Sequence, residues 1–153
     1  MSAKDAYPLL EADLLPLSIG AALLGTGGGG NPYVGMLRSR ELLRKGATVD
    51  ILPLEALPDD AWIGEVGGIG APVVGVEKIE QGEECYCAMR AVEDVAKVKM
   101  SALICAEIGG ANSMEPVITA AQAGLPVIDG DGMGRAFPEV QMTTFFIYGA
   151  KPA

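Results

Sequence analysis

The sequence contains no histidine. That removes the commonest general base and the commonest zinc ligand together. Hydrolytic chemistry within these residues would therefore rest on carboxylates, or on a histidine from another polypeptide or another part of the protein. Positive charge is also scarce: 11 Lys and Arg stand against 20 Asp and Glu, and the resulting charge of −9 argues against a nucleic-acid partner. No apolar run approaches the ~20 residues of a membrane span. Nothing in the first residues, Met1-Ser2-Ala3-Lys4-Asp5 onward, resembles a secretory signal. The expectation is a cytoplasmic protein with no membrane partner. The three cysteines are then reduced thiols, and Cys85 and Cys87 form C-x-C, not the C-x-x-C of redox and zinc sites. Ser113 has no histidine to activate it as a nucleophile.

What the sequence does hold is apolar residues and glycine. Half the side chains are hydrophobic and a fifth are charged, which specifies a globular chain. Its length suits one domain, expected over 13–150 with 1–12 as a loose lead-in. Glycine is concentrated in Gly25-Thr26-Gly27-Gly28-Gly29-Gly30, followed by Asn31-Pro32-Tyr33. Such a run is costly on folding, so it marks left-handed backbone or close approach. Asn31 suits an N-cap and Pro32 the first helical position. The loop either offers its N–H groups and a helix N-terminus to an anion or carbonyl, or is a close-packed turn between two helices. It is not a P-loop, because no Lys-Ser/Thr follows.

Along the chain, helices are predicted from Asp13 to Leu24 and from Pro32 to Lys45, the second ending at Gly46. Further helices are predicted over 84–100, and over 113–123 with Ser113 as cap and Gly124 as stop. Strands are predicted at 48–52, 62–66, 102–106, 125–128 and 142–148; the apolar run Ala102-Leu103-Ile104-Cys105-Ala106 reads as a buried parallel strand. Strands alternating with helices imply an α/β layered domain with a mostly parallel or mixed central sheet and glycine-rich loops at the strand ends. Ligands bind such sheets beyond the carboxyl ends of the strands. Two polar loops fall there, Glu107 to Asn112 and Asp129 to Arg135.

Asp129 and Asp131 share a face if the chain stays extended, and could bind a cation or divide acid and base roles. Asp131 could equally satisfy turn N–H groups. Glu107 follows a buried strand, where an unpaired carboxylate is expensive; it either pairs, for example with Arg135, or has a functional role. Arg135 could clamp a substrate carboxylate or pair with Glu139. Asn112 could orient a ring carbonyl or cap a helix. Thr26 could bond a ligand or stitch its own loop.

Four motifs occur in one order: Gly25–Tyr33; Gly70-Ala71-Pro72 with Gly75-Val76-Glu77-Lys78; Glu107-Ile108-Gly109-Gly110 with Asn112-Ser113; and Gly124-Leu125-Pro126-Val127 running into Asp129–Glu139. Together they resemble the N-terminal domain of the S-methyl thiohydantoin desulfurase family, loosely related to hydantoinases and oxoprolinases. The resemblance implies an amidohydrolase-like enzyme acting on hydantoin or thiohydantoin rings. The resemblance favours a site role for Asp131; with the readings above, Asp131 and Glu107 are the expected catalytic residues, and Thr26, Gly27, Gly28, Gly29, Gly30, Asn112, Asp129 and Arg135 the residues expected around a small-molecule substrate. The cofactor is left unassigned, although the carboxylates would accept a divalent metal. Members of the family usually continue into a C-terminal domain that these residues do not include. The alternative expectation is therefore a non-catalytic subunit that completes its site in a homo-oligomer or with a partner chain.

Overall fold

A computed structural model describes residues 6–26 and 28–150, without the side chains of Pro72 and Val76. Five strands, β1 (Tyr7–Pro8), β2 (Asp50–Leu52), β3 (Ile63–Val66), β4 (Ala102–Cys105) and β5 (Val127–Asp131), form one sheet in the order β1-β2-β5-β4-β3. β2, β5, β4 and β3 run parallel, and β1 closes one edge antiparallel, with Tyr7 opposite Ile51 and Pro8 opposite Asp50. The helices are α1 (Glu11–Leu24), α2 (Tyr33–Arg44), α3 (Pro72–Glu77), α4 (Glu84–Ala96), α5 (Glu115–Ala123) and α6 (Thr144–Ile147). This is the layered α/β domain with a mostly parallel sheet that the alternating pattern predicts.

The alternation along β4 sorts the core. Leu103 turns toward the helices and joins Leu14, Met36, Met89, Val117, Ile118 and Val127 in the main cluster. Ala102 and Ile104 turn the other way, to a smaller cluster with Ile128, Leu57, Ile63 and Phe145. Fully buried Leu103, at roughly 2 kcal/mol of apolar burial, therefore belongs to the layer that carries most of the fold.

Helix ends follow local chemistry. Asp13 does not precede α1 but reaches back from its first turn, accepting the Leu10 N–H at 2.9 Å. Asn31 Oδ1 accepts the Tyr33 N–H at 2.9 Å, so it caps α2 with Pro32 as the boundary residue. Gly46 and Gly124 have φ of +96° and +69° beyond α2 and α5, the left-handed termination expected of glycine. Ser113 does not cap α5: its hydroxyl donates to Gly110 O at 2.7 Å within a 3-10 turn, and the helix starts at Glu115.

Three predictions from periodicity are corrected. Residues 142–148 form a 3-10 turn (Val140–Met142) and α6, not a strand, because Thr143 Oγ1 accepts the Phe146 N–H and Thr144 N donates to Gly132 O. Within the expected lead-in, Tyr7 and Pro8 pair with β2. The long helix stops at Ala96, not Met100, and Val95 is exposed while Glu93 is buried. The Glu93 carboxylate ends the helix by accepting the Met100 N–H at 2.8 Å, Lys99 Nζ at 3.0 Å and Arg90 Nη1 at 2.5 Å.

The Met100 N–H first, then Lys99, hold the Glu93 carboxyl below the usual carboxylate range. A depressed folded pKa adds stability above the unfolded value and loses it as pH falls through the folded one. Unfolding free energy should therefore fall more steeply as pH drops below the ordinary carboxylate range in the wild type than in Glu93→Gln, as urea titrations at several pH values would read.

Candidate functional site

Three loops leave the carboxyl ends of the parallel strands or the end of α1 and meet backbone to backbone. They are Gly25–Gly30, Glu107–Asn112 and Gly132–Phe137. Gly110 N donates to Ala21 O at 2.8 Å and Ala111 N to Gly29 O at 2.7 Å. A Cβ on Gly29 or Gly110 would strike the other's loop backbone, and one on Gly109 would strike Ala136 N. Gly29 and Gly110 also have φ of +79° and +87°. The glycines here are needed for close approach and left-handed backbone together. At Gly28 the space is ordinary, and at Gly30 a Cβ would only touch Ala111. Gly27 lies outside the described residues.

Among the described residues, the N–H groups of Gly29, Gly30 and Gly109 find no protein acceptor. Thr26 stitches its own loop, its hydroxyl donating to Leu23 O at 2.6 Å. Its carbonyl receives Arg135 Nη2 at 3.3 Å, and the Arg135 guanidinium lies 5.6 Å from the centre of the Phe137 ring. No ion pair of Arg135 with Glu107 or Glu139 forms among the described residues.

Glu107 is buried, and both its oxygens are engaged. Oε1 accepts Asn112 Nδ2 at 2.8 Å and Oε2 the Phe137 N–H at 2.9 Å. These neutral donors answer the cost of burying a carboxylate where an ion pair was one expectation. Asn112 is itself fully used, donating to Gly68 O at 2.9 Å and accepting the Gly68 N–H at 2.8 Å. It therefore ties the loop after β3 to the loop after β4 and does not cap α5.

Asp131 ends β5 and gathers the next turn through one oxygen. Oδ2 accepts the N–H groups of Ile108, Met133 and Gly134 at 3.0, 3.3 and 2.6 Å, whereas Oδ1 has no protein partner among the described residues. Between Val127 and Asp131 the strand slips out of step with β4: Leu103 stands opposite Val127, yet Cys105 stands opposite Asp131. The uniform extension behind the Asp129–Asp131 pairing is lost in this bulge. Asp129 is exposed, and its charge and hydrogen bond act on Tyr7, whose hydroxyl burial first and then Asp129 push up. The structure thus brings Glu107, Asn112, Asp131 and Arg135 to the glycine loops and leaves Asp129 beside the sheet edge. No group of three or more His, Cys, Asp or Glu side chains suited to a metal occurs among the described residues.

Cys105 sits beneath these loops. Burial, and then the charges of Asp131, Glu107 and Glu65, push its thiol up to about 12, against the lowering by its bond to Glu107 O. It remains a thiol and donates to Glu107 O at 2.8 Å and Asn112 O at 3.2 Å. Glu65, on β3, was not singled out in the sequence. It stands opposite Ile104 on the neighbouring strand, and desolvation raises its carboxyl. Its position in the strand Ile63-Gly64-Glu65-Val66, before Gly67-Gly68, was the available signal.

A mostly parallel α/β sheet with interlocked glycine loops and carboxylates at its carboxyl end places the domain in the open-sheet α/β class. Over residues 12–153 the chain matches the model of the S-Me-THD-like N-terminal domain, and it belongs to that family. No curated protein matches it. Among solved structures it is similar to the X-ray crystal structure of a Chromobacterium violaceum protein, Northeast Structural Genomics Consortium target CvR68. The TM-score is 0.75 at 27% identity, over 94% of this chain and 40% of that one. The chain therefore spans less than half the length of that relative.

The locked loops and the raised thiol each give an expected outcome. Gly110→Ala should cost at least about 3 kcal/mol in a urea melt, because it adds a backbone clash to a left-handed φ; Gly124→Ala, with open space around it, should cost about 1 kcal/mol. In the native protein near pH 8, a disulfide thiol reagent should titrate exposed Cys87 and reach Cys105 only on unfolding.

Proposed function

We propose that this domain supplies the substrate-facing carboxyl-end loops of a hydrolase-type enzyme acting on a hydantoin or thiohydantoin ring. Membership of the S-Me-THD-like family supports the ring class. The observation that carries the chemistry is Asp131, with Oδ2 fixed by three N–H groups and Oδ1 unengaged by protein among the described residues. A carboxylate anchored on one side and open on the other is positioned to take a proton from an attacking water. In the same reading, the N–H groups of Gly29 and Gly30 face developing negative charge on a ring carbonyl or thiocarbonyl oxygen or sulfur. Arg135 pairs with a substrate carboxylate. Glu107 serves by holding the loop bearing Phe137 against Asn112 and modulates acid–base chemistry from there. Thr26 and Gly28 shape the loop, and Asp129 lies at the rim beside Tyr7. Without a metal-ligating cluster among the described residues, any divalent cation would take further ligands from elsewhere.

A second reading is a binding half-site that becomes catalytic only with another domain or chain. It is favoured by the full engagement of Glu107 and Asn112 in loop contacts and by the 40% share of the longer relative.

Asp131→Asn separates chemistry from folding, since the amide oxygen still accepts the three N–H groups. In an enzyme that turns over a hydantoin or thiohydantoin carboxylate, it should lower kcat by about 10²–10⁴ with little change in thermal midpoint. Calorimetric titration of this chain with a hydantoin propionate should show saturable binding, weakened by Asp131→Asn. Binding with no turnover, or no binding to the folded chain, supports the half-site reading, and an unchanged kcat in Asp131→Asn removes the role given to Asp131.

A further inference from the structure

We infer that the connection between β3 and α4 is a lid that closes over the candidate site when a substrate ring binds, with Ile69, Val73 and Val74 as its apolar lining. The inference rests on the ring-binding reading of that site and adds its cover. The connection runs from Gly67 to Glu83, well beyond the about 2–6 residues that commonly join strand to helix in such sheets. Long connections in a compact domain are characteristically functional, lids among them. This one carries the Gly70-Ala71-Pro72 and Gly75-Val76-Glu77-Lys78 motif, to which the site described above gives no role.

Both ends of the connection are fastened. Near β3, Asn112 accepts the Gly68 N–H at 2.8 Å and donates to Gly68 O at 2.9 Å, while its amide also donates to Glu107. Near α4, Gly82 O receives Gln122 Nε2 at 2.7 Å and Arg38 Nη2 at 3.3 Å, and Arg38 pairs with Glu80 at 2.8 Å. Glu84 accepts the N–H groups of Gln81 and Gly82 at 2.7 and 2.8 Å. Between these anchors, residues 69–79 bond only to one another among the described residues, as Val74 N does to Ala71 O at 3.1 Å. None of them belongs to either core cluster. Ile69, Val73, Val74 and Ile79 are 75%, 60%, 57% and 96% exposed. Gly70 and Gly82, with φ of +151° and +97°, bracket most of the free span and give it a glycine joint at each end.

Topology decides what the span closes on. β3 runs parallel to β4 and pairs with it, so the connection leaves the carboxyl end of the sheet beside the loop that holds Glu107 and Asn112. Its near anchor is the Asn112 side chain, so a ring settling on that loop acts directly on the latch. The site loops offer chiefly polar groups, whereas a hydantoin or thiohydantoin carries its polar atoms at the edge of a flat ring. Aliphatic side chains from the span would cover one face of that ring and exclude water around Asp131. Few contacts oppose the motion, as in the low-stability segments from which moving elements are drawn. Because both anchors lie within this chain, the cover needs no further domain to deliver it.

Hydrogen exchange of this chain, read peptide by peptide without and with excess hydantoin propionate, tests the inference, with calorimetry on the same samples. Amides of residues 69–79 should exchange fast in the free chain and about tenfold or more slower with the probe. Ile69→Ser and Val74→Ser, at positions already exposed in the free chain, should each weaken binding about fivefold to tenfold with an unchanged melting temperature. Val95→Ser, at a residue 85% exposed on α4, should change neither. Saturable heat with unchanged exchange over 69–79 overturns the lid and leaves the ring-binding reading in place. Affinity untouched by both lid substitutions does the same. A folded chain that neither binds the probe nor slows its exchange overturns the lid as a property of this chain and returns the site to the half-site reading.

Discussion

The absence of a side chain at Gly29, Gly109 and Gly110 is the constraint on which the carboxyl end of this domain depends. Three separate stretches of backbone can approach within hydrogen-bonding distance only because no Cβ stands between them. Once they meet, Gly29 O receives Ala111 N and Ala21 O receives Gly110 N, so the end of α1 is tied to the loop after β4. The polar side chains then act on a scaffold already closed. Glu107, buried on that scaffold, faces Asn112 and the Phe137 N–H at once and joins the third loop to the second.

Much of the fold is legible because its signals are local and strong. The apolar run from Ala102 to Cys105 announces a central strand, and Gly46 and Gly124 end their helices in the conformation glycine favours. The failures arise where tertiary contacts override or supply what the local pattern lacks. Thr143 turns an apolar, β-like stretch into α6, and Glu93 ends α4 while the hydrophobic period continues to Met100. In the same way, no periodicity marks Tyr7-Pro8 as a strand, because two residues gain their pairing only from β2.

The candidate site divides along similar lines. Residue type and place beyond a strand suffice to bring Glu107, Asn112, Asp131 and Arg135 together. Their bonds were not legible, because they depend on which N–H groups the loops present. Glu107 was expected to need an ion pair or a function, yet neutral donors satisfy it. Asp129 followed from a strand of uniform extension, and the slip of register before Asp131 breaks that premise. Of the two possibilities the glycine run raised, the structure shows the close-packed turn, for which Gly29 is required; the Gly29 N–H has no protein acceptor among the described residues.

Pro8 gives the sheet edge a direction of its own. β1 is two residues long, and its proline has no N–H to offer an incoming strand. Growth of the sheet by strand addition is thereby discouraged at the β1 edge, where an open ladder would invite fibre-like propagation. What a partner could still reach on that side is side chains, since the main chain there offers no continuous ladder.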